Sequence, residues 1–210
     1  MLPAKHFYMI RHGQTEANAQ RIMAGSMDTP LNETGRAQAR SAHDVLKSLS
    51  VKPRTIVHSN LSRARDTAKI LNEVLNAPMH EDAGLAELHA GDWEGEPYDI
   101  CSPLLQGWED PPNGETFAAF TQRLKEAKKR TLGSHDGPVL IVSHGGVFRG
   151  LGMIYGLEIP GVFKNCHLHE FIPDPANTVF PWEVWSYTAL ADGIVREKTD
   201  VFHIQQRKSA

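Results

Sequence analysis

The sequence has little cysteine and no long apolar run. Only Cys101 and Cys166 among its 210 residues are cysteines, too few for a disulfide framework or a cysteine-rich zinc site. No stretch approaches the roughly 18 uninterrupted apolar residues of a membrane-spanning helix, and residues 1–6 lack the apolar region of a signal peptide. We therefore expect a cytoplasmic protein without a membrane partner.

An excess of positive charge and a metal-ligand motif are also absent. Lys and Arg number 22 and Asp and Glu 25, for a formal net charge of -3, so we expect no nucleic-acid partner and only local anion sites. There is no HExxH motif, and the alternating His167 and His169 have no third ligand at a suitable spacing. Neither cysteine is followed six residues later by the arginine of a cysteine-based phosphatase loop. The sequence predicts no metal site and no other cofactor.

Short apolar runs alternate with segments of helical periodicity. Three runs end in turn residues, as buried parallel strands do: Phe7–Ile10, Thr55–His58 and Val139–Val142. Apolar side chains recur at helical spacing in three other segments: residues 42–49, 68–75 and 117–127. This alternation predicts an α/β fold with a mostly parallel, doubly wound sheet and helices on both faces.

Two further regions complete the predicted architecture. Residues 82–115 are rich in glycine and proline and weakly periodic, which predicts an insertion of loops and short helices that caps one end of the sheet. Three later stretches are predicted to extend the sheet as antiparallel strands: His167–Ile172, Trp182–Leu190 and Ile194–Phe202. Since no linker or repeat is visible, we expect one domain over residues 1–210.

Polar residues cluster where the three parallel strands end, and ligands of open α/β sheets bind at that edge. The candidates are Arg11, His12, Gln14, Thr15 and Asn18 after the first strand, Ser59, Ser62 and Arg63 after the second, and Ser143, His144, Gly145 and Gly146 after the third. Two arginines and two histidines in one crevice, with glycines that expose backbone N–H groups, predict a phosphate site. Positive neighbours lower the pKa of an imidazole, which makes His12 a candidate nucleophile.

Phosphoester cleavage also needs an acid to protonate the leaving alkoxide. Glu87 is the best placed carboxylate by sequence, but Asp92, Glu94 and Glu96 lie close to it. Spacing alone does not choose among these four residues.

Five ordered segments carry further motifs. They are RHGQTEAN at 11–18, DTPLNETG at 28–35, SNLSRARDTA at 59–68, LAELHAGDWEG at 85–95 and VSHGG at 142–146. Together they resemble the RHGxTxxN, DxPLTxxG, SxLxRAxxTA, LxE…GxWEG and VSHGG segments of the histidine phosphatase superfamily, the phosphoglycerate mutase-like proteins. The resemblance covers residues 7 to about 157, and five matches in order are far more specific than one.

The resemblance implies a role for each matching residue. It implies that His12 becomes phosphorylated, that Arg11, Arg63 and His144 complete the phosphate pocket, and that Glu87 is the proton donor. The remaining substrate-binding candidates are Gln14, Asn18, Gly25, Ser26 and Gly145. The family reaction needs no metal.

The region 97–115 bears on the choice between phosphatase and mutase. It contains no Arg or Lys, whereas the mutases carry a basic stretch there, and residues 112–117 resemble the PxGES segment of the phosphatases. We therefore predict a metal-independent phosphomonoester hydrolase that acts through a phosphohistidine on a small phosphorylated metabolite. The alternatives are a mutase-type phosphotransferase and a non-catalytic module that binds a phospho-ligand. The identity of the substrate and the oligomeric state remain open.

Overall fold

A seven-stranded sheet organises the chain in the computed structural model, which describes residues 1–157, 159, 162–199 and 202. The strands are β1 (Phe7–Arg11), β2 (Thr55–His58), β3 (Met79–Glu81), β4 (Val139–Ser143), β5 (Leu168–Pro173), β6 (Trp182–Leu190) and β7 (Gly193–Lys198). Their order is β3-β2-β4-β1-β5-β6-β7. Strands β3, β2, β4 and β1 are mutually parallel, and β5, β6 and β7 add antiparallel pairs beside β1.

Helices cover both faces of this sheet. They are α1 (Glu16–Ala19), α2 (Glu33–Ser48), α3 (Ser62–Leu75), α4 (Tyr98–Gln106), α5 (Phe117–Ser134) and α6 (Gly145–Ile154), with short 3-10 turns at Ala83–Leu85 and Gly91–Trp93. Successive strand residues point to opposite faces. Met9 and Ile141 therefore share one apolar core with residues of α5 and α6, whereas Ile10 and Val142 share another with residues of α2 and α3. This confirms the predicted doubly wound fold.

Local side-chain chemistry defines where the long helices begin and end. The Asn32 side chain accepts from the backbone N–H of Gly35 at 2.9 Å and caps α2. The Thr116 hydroxyl accepts from the backbone N–H of Ala119 at 3.2 Å and caps α5. Helix α3 ends at Asn76 in the left-handed conformation, with φ 48°. The two N-caps accept from backbone N–H groups of the first turn, which have no partner within the helix. The left-handed residue at Asn76 ends the helical backbone of α3.

The predicted strands agree with the structure, with small differences in length. Strand β2 has the predicted bounds, and β1 and β4 each run one residue further than predicted. Strand β3 was not predicted, because its three residues form an exposed edge and carry no apolar pattern. Strand β7 ends at Lys198, and residues 200 and 201 of the predicted strand lie outside the described residues.

Candidate active site

Strands β1 and β4 are neighbours in the sheet, but the chain leaves them toward opposite faces. After β1 it leads to α2 on one face, and after β4 it leads to α6 on the other. Such a divergence opens a crevice at the carboxyl ends of the two strands. The backbone N–H of His12 donates to the carbonyl of Ser143 at 2.9 Å, so the two strand ends stay in register. The imidazole rings of His12 and His144 consequently lie 5.1 Å apart between their centroids.

His12 is oriented as a nucleophile would need to be. Its Nδ1 lies 2.6 Å from the carbonyl oxygen of Gly13, a contact that requires the proton on Nδ1. The lone pair therefore resides on Nε2. Burial, together with the charges of Arg11 and Arg63, holds the pKa of His12 well below its usual range. At neutral pH the imidazole is thus uncharged and able to attack phosphorus.

His144 presents the opposite nitrogen. Its Nε2 lies 2.8 Å from the Ser59 hydroxyl, which itself accepts from the backbone N–H of Leu61 at 3.2 Å. The Ser59 hydroxyl has no other acceptor for its own proton among the described residues, so we assign it as the donor to Nε2, which places the imidazole proton on Nδ1. That Nδ1 is buried and has no hydrogen-bond partner among the described residues. Burial and the charge of Arg63 hold the pKa of His144 well below its usual range, so it offers a neutral N–H donor.

Two guanidinium groups supply the positive charge, that of the buried Arg63 and that of the half-buried Arg11. Arg11 donates from Nη1 to the carbonyl of Phe163 at 2.7 Å, and its buried Nε has no partner among the described residues. Arg63 donates to the carbonyls of Met27 at 2.6 Å and Gly25 at 2.8 Å. Within the described chain neither arginine forms an ion pair, although Glu87 lies near enough to raise the pKa of both against a larger lowering by burial. Their charge remains available to an anionic ligand.

Glu87 lies against the first turn of α6. Its Oε2 accepts from the backbone N–H of Gly146 at 2.9 Å, and its Oε1 accepts from the N–H of Leu88 at 3.0 Å. A Cβ added at Gly146 would lie 2.0 Å from Glu87 Oε1, so only glycine lets the carboxylate approach the helix this closely. This contact places Glu87 in the crevice, whereas Glu94 accepts from Ser26 and the N–H of Ala90.

The turn after β1 is held by close backbone packing. The N–H of Gly13 donates to the Thr67 hydroxyl at 3.0 Å, and that hydroxyl donates to the carbonyl of Arg63 at 2.7 Å. A Cβ at Gly13 would lie 2.4 Å from the carbonyl oxygen of Gly35, which excludes any other residue without a backbone shift. The turn that carries His12 is thereby tied directly to the helix that carries Arg63.

A cavity of about 290 Å³ opens above these groups. Its polar floor comprises Arg11, His12, Asn18, Gly25, Arg63, Glu87, Gly145, Gly146 and Asn165. Its walls are mostly apolar and comprise Ile22, Met23, Ala24, Leu88, Ala90, Leu105, Trp108, Phe117, Phe120, Met153, Val162 and Phe163, with Tyr98, Arg21 and Arg149. Residues from the 82–115 segment thus form part of the wall. His144 is fully buried beside the floor.

Two predicted substrate-binding residues lie elsewhere. Gln14 accepts through its side-chain oxygen from Asn32 at 3.0 Å and does not line the cavity. The Ser26 hydroxyl donates to Glu94 at 2.8 Å, so this side chain fixes a neighbouring loop. Neither side chain lines the cavity, so neither belongs to the proposed site. Asn18 and Gly25, in contrast, do line it.

The structure adds residues that the motifs did not mark. Asn165 lines the cavity and donates to the carbonyl of His12 at 2.8 Å, which holds the backbone at His12 from the side of β5. Arg149 lies on α6 one turn beyond Gly145, with no ion pair or hydrogen bond among the described residues. Arg21 also lines the cavity, but it is paired with Asp99. No local pattern distinguishes these three residues in the sequence.

The two strand histidines do not assemble a larger cluster. His169 is buried against the rings of Phe148 and Phe163, and His167 lies 3.4 Å from the Thr188 hydroxyl. Across the described residues, no group of three His, Cys, Asp or Glu side chains is arranged to hold a metal ion. Over the same part of the chain, no helix is both long enough and apolar enough to cross a bilayer.

The sequence of residues 7–170 matches the family model of the histidine phosphatase superfamily, branch 1. The chain belongs to this superfamily.

Two relatives of this histidine phosphatase are named for different activities, one as a phosphatase and one as a probable mutase. A glucosyl-3-phosphoglycerate phosphatase from Mycolicibacterium vanbaalenii is 36% identical over 174 residues, covering 74% of this chain and 76% of the relative. A probable phosphoglycerate mutase from Serratia proteamaculans is 35% identical over 218 residues, covering 94% of each chain.

A solved structure of the superfamily has the same fold. The mycobacterial glucosyl-3-phosphoglycerate phosphatase in complex with VO3 superimposes with a TM-score of 0.69 and 30% sequence identity, covering 86% of this chain and 97% of that one. The chain described here is accordingly a phosphatase of the superfamily with a mixed α/β fold.

Proposed function

We propose that this phosphatase hydrolyses small phosphomonoesters through a phosphohistidine on His12, without a metal ion. The observation that carries the proposal is the state of His12: buried, uncharged at neutral pH, with its Nε2 lone pair free and two guanidinium groups beside it. An uncharged imidazole can attack phosphorus, while Arg11 and Arg63 offset the charge of the phosphate dianion. The arginines thus supply the electrostatic stabilisation that a metal supplies in other phosphatases.

The first chemical step transfers the phosphoryl group to His12. The Nε2 lone pair forms the N–P bond as the bond between phosphorus and the ester oxygen breaks. Glu87 gives its proton to that oxygen, so the product alcohol leaves neutral. In this step the N–H groups of Arg11 Nε and His144 Nδ1 hold the oxygens of the phosphoryl group, a role supported by the lack of any other partner for them among the described residues.

The second step returns the enzyme to its starting state. Water attacks the phosphohistidine, its proton passes to Glu87, and the N–P bond breaks to release inorganic phosphate. Glu87 therefore serves as acid and then as base, which requires its carboxylate to stay near the same oxygen position. Its hydrogen bond from the Gly146 backbone supports that placement.

The dimensions of the cavity favour a metabolite as substrate. A volume of about 290 Å³ suits a small molecule rather than a folded phosphoprotein. Apolar walls above a polar floor favour a phosphate ester whose leaving group carries a sizeable carbon skeleton. The phosphatase relative is named for a phosphorylated sugar acid, which falls within this class.

Phosphoryl transfer between sugar acids is a second candidate. The observation that favours it is Arg149, a cation in the cavity wall without an ion-pair partner among the described residues, in a position to bind a substrate carboxylate. The mutase-named relative agrees with this candidate. A mutase would transfer phosphate to an acceptor faster than to water, whereas we propose that water is the main acceptor.

The test is phosphate release from 4-nitrophenyl phosphate by wild type and His12→Ala, with a chelator present throughout. We expect activity in wild type with chelator and a loss of at least a thousandfold in the variant, because the nucleophile is missing. Activity lost to the chelator would refute metal independence, and an unimpaired variant would refute the nucleophile. Binding of inorganic phosphate without turnover of any small ester would instead support the non-catalytic module.

A further inference from the structure

Arg123 of α5 contacts the backbone of the loop that carries Glu87. Its Nη1 donates to the carbonyls of Gly84 at 3.0 Å and Ala86 at 3.1 Å, and its Nη2 donates to the carbonyl of Glu87 itself at 3.3 Å. Arg123 does not line the cavity, so it cannot touch the substrate's phosphate directly in this arrangement. Its contacts end on the main chain that presents the carboxylate.

The same guanidinium is fixed by Glu115. Nε donates to Oε1 of Glu115 at 2.9 Å and Nη2 donates to Oε2 at 2.7 Å, a bidentate pair. Both side chains are largely buried, with 28% of Arg123 and 17% of Glu115 exposed. A guanidinium has five donors in one plane, and here they span a carboxylate and three carbonyls, which a lysine ammonium cannot do.

Glu115 belongs to the loop between α4 and α5, and this loop also packs on the chain beyond Glu87. The N–H of Glu115 donates to the carbonyl of His89 at 2.8 Å, and the N–H of Asp92 donates to the carbonyl of Pro112 at 2.9 Å. A Cβ at Gly114 would lie 2.6 Å from the His89 carbonyl oxygen. Residues 112–116, the PNGET segment, are thus held against the backbone on the C-terminal side of Glu87, and Arg123 contacts the backbone on its N-terminal side.

We propose that Arg123, clamped by Glu115, is a positioning residue for Glu87. It holds the backbone of residues 84–87 in the position that lets the Glu87 carboxylate accept from the Gly146 N–H. This inference rests on the proposed role of Glu87 as the acid. It assigns a function to the PNGET segment, which contributes the carboxylate of the clamp.

The readout is a ratio that overall damage to the protein would not change. An alkyl phosphate needs protonation of its leaving oxygen, whereas 4-nitrophenolate leaves without it. The value of kcat/KM reports the steps up to the first transfer. The change between wild type and variant in kcat/KM for glycerol 3-phosphate divided by that for 4-nitrophenyl phosphate therefore follows the loss of the acid. Arg123 also lies over the ring of Phe120, which lines the cavity, so the Glu87→Gln background is needed to separate the acid from leaving-group binding. Partial unfolding lowers both values equally and leaves the ratio unchanged.

Glu87→Gln should lower this ratio by about a hundredfold or more, the usual contribution of a general acid. Arg123→Met should lower it by roughly tenfold to a hundredfold, because a shift of about 1 Å at a catalytic group has that effect. Arg123→Lys and Glu115→Gln retain part of the clamp, and we expect intermediate ratios that remain measurable if Arg123→Met folds poorly. In a Glu87→Gln background, Arg123→Met should lower the ratio no further.

Arg130→Gln is the matched control. Arg130 lies on the same helix and pairs with Asp82 of the same loop at 2.9 Å, but it contacts no carbonyl of residues 84–87. We expect its ratio to equal that of wild type. The inference would be overturned if the ratio were unchanged in the Arg123 and Glu115 variants, or if it fell in Arg130→Gln as much as in Arg123→Met. It would also be overturned if Arg123→Met lowered the ratio further in the Glu87→Gln background. An unchanged ratio in Glu87→Gln would overturn the acid role itself, which separates the two failures.

Discussion

Replacing Lys128 with methionine tests how the core of this protein tolerates a buried amine. Lys128 lies on α5 with none of its surface exposed, and its Nζ contacts the sulfur of Met9 at 3.3 Å. Among the described residues no carboxylate pairs with it. Burial lowers the pKa of Lys128 from 10.5 to about 7. Methionine has a similar length and no charge to desolvate, so Lys128→Met should stabilise the fold.

The size of the effect follows from the pKa difference between the folded and unfolded chains. Between about pH 7 and pH 10.5 the unfolded chain keeps the lysine proton and the folded chain does not, so the stability of wild type rises with pH in that window. The free-energy cost of burying Lys128 is about 4 kcal/mol at pH 7 and about 2 kcal/mol at pH 9, at ~1.4 kcal/mol for each unit. The gain from Lys128→Met should therefore shrink by about 2 kcal/mol over those two pH units.

The assay is urea unfolding of wild type and Lys128→Met at both pH values, with the free energy of unfolding extrapolated to water. The decisive quantity is the stability gained by Lys128→Met at pH 7 minus that gained at pH 9. Effects of the substitution on packing that do not depend on pH cancel in this difference. Parallel stability curves for the two proteins across this range would refute the reasoning, since Lys128 would then titrate alike in the folded and unfolded chains.

Three further perturbations have distinct outcomes. Glu170→Gln should destabilise the fold by about 3 kcal/mol in urea unfolding, because it removes the charge that pairs with Arg196, and leave kcat unchanged, because Glu170 does not line the cavity. Gly146→Ala should lower kcat/KM for alkyl phosphates more than for 4-nitrophenyl phosphate, since the new Cβ would displace the Glu87 carboxylate. Arg149→Gln should lower kcat/KM for 3-phosphoglycerate about tenfold but change that for glycerol 3-phosphate little, because glycerol 3-phosphate has an uncharged hydroxymethyl group in place of the carboxylate.

The pH dependence of the free energy of unfolding in acid provides a check on the Glu170 prediction. Burial alone would raise the pKa of Glu170, but hydrogen bonds from His6, Tyr187 and Arg196 outweigh it and lower the pKa to about 2. The stability that this carboxylate contributes should be complete above its unfolded pKa and disappear as the pH falls toward 2. Glu170→Gln should lack this part of the acid dependence.

The parallel core and the floor of the site could be predicted because both depend on local patterns. Short apolar runs bounded by turn residues mark β1, β2 and β4 directly. Arg11 is the last residue of β1, and His12 and His144 directly follow β1 and β4, so parallel pairing alone brings the three residues to one edge. The family resemblance then selected Glu87 among four neighbouring carboxylates. The structure places the Glu87 side chain against Gly146 at the cavity, and its role as the acid stays a prediction.

Other parts of the site depend on tertiary contacts that no local pattern encodes. Asn165 reaches His12 across more than 150 residues of chain, and Arg149 enters the wall only because α6 turns that face toward the cavity. Gln14 has the right position in its motif, yet its amide bonds to Asn32 in the loop beside it. The sequence shows which residues are near a strand end, but the direction of each side chain is set by its partners.

The most direct test of the account is to locate the phosphoryl group during turnover. Wild type would be denatured during hydrolysis of a radiolabelled phosphomonoester, and the labelled position identified by peptide mapping. We expect an acid-labile phosphohistidine on Nε2 of His12, because Nδ1 is committed to the Gly13 carbonyl, and no label in His12→Ala. Turnover without a phosphoenzyme, or a label on another residue or on Nδ1, would contradict the account.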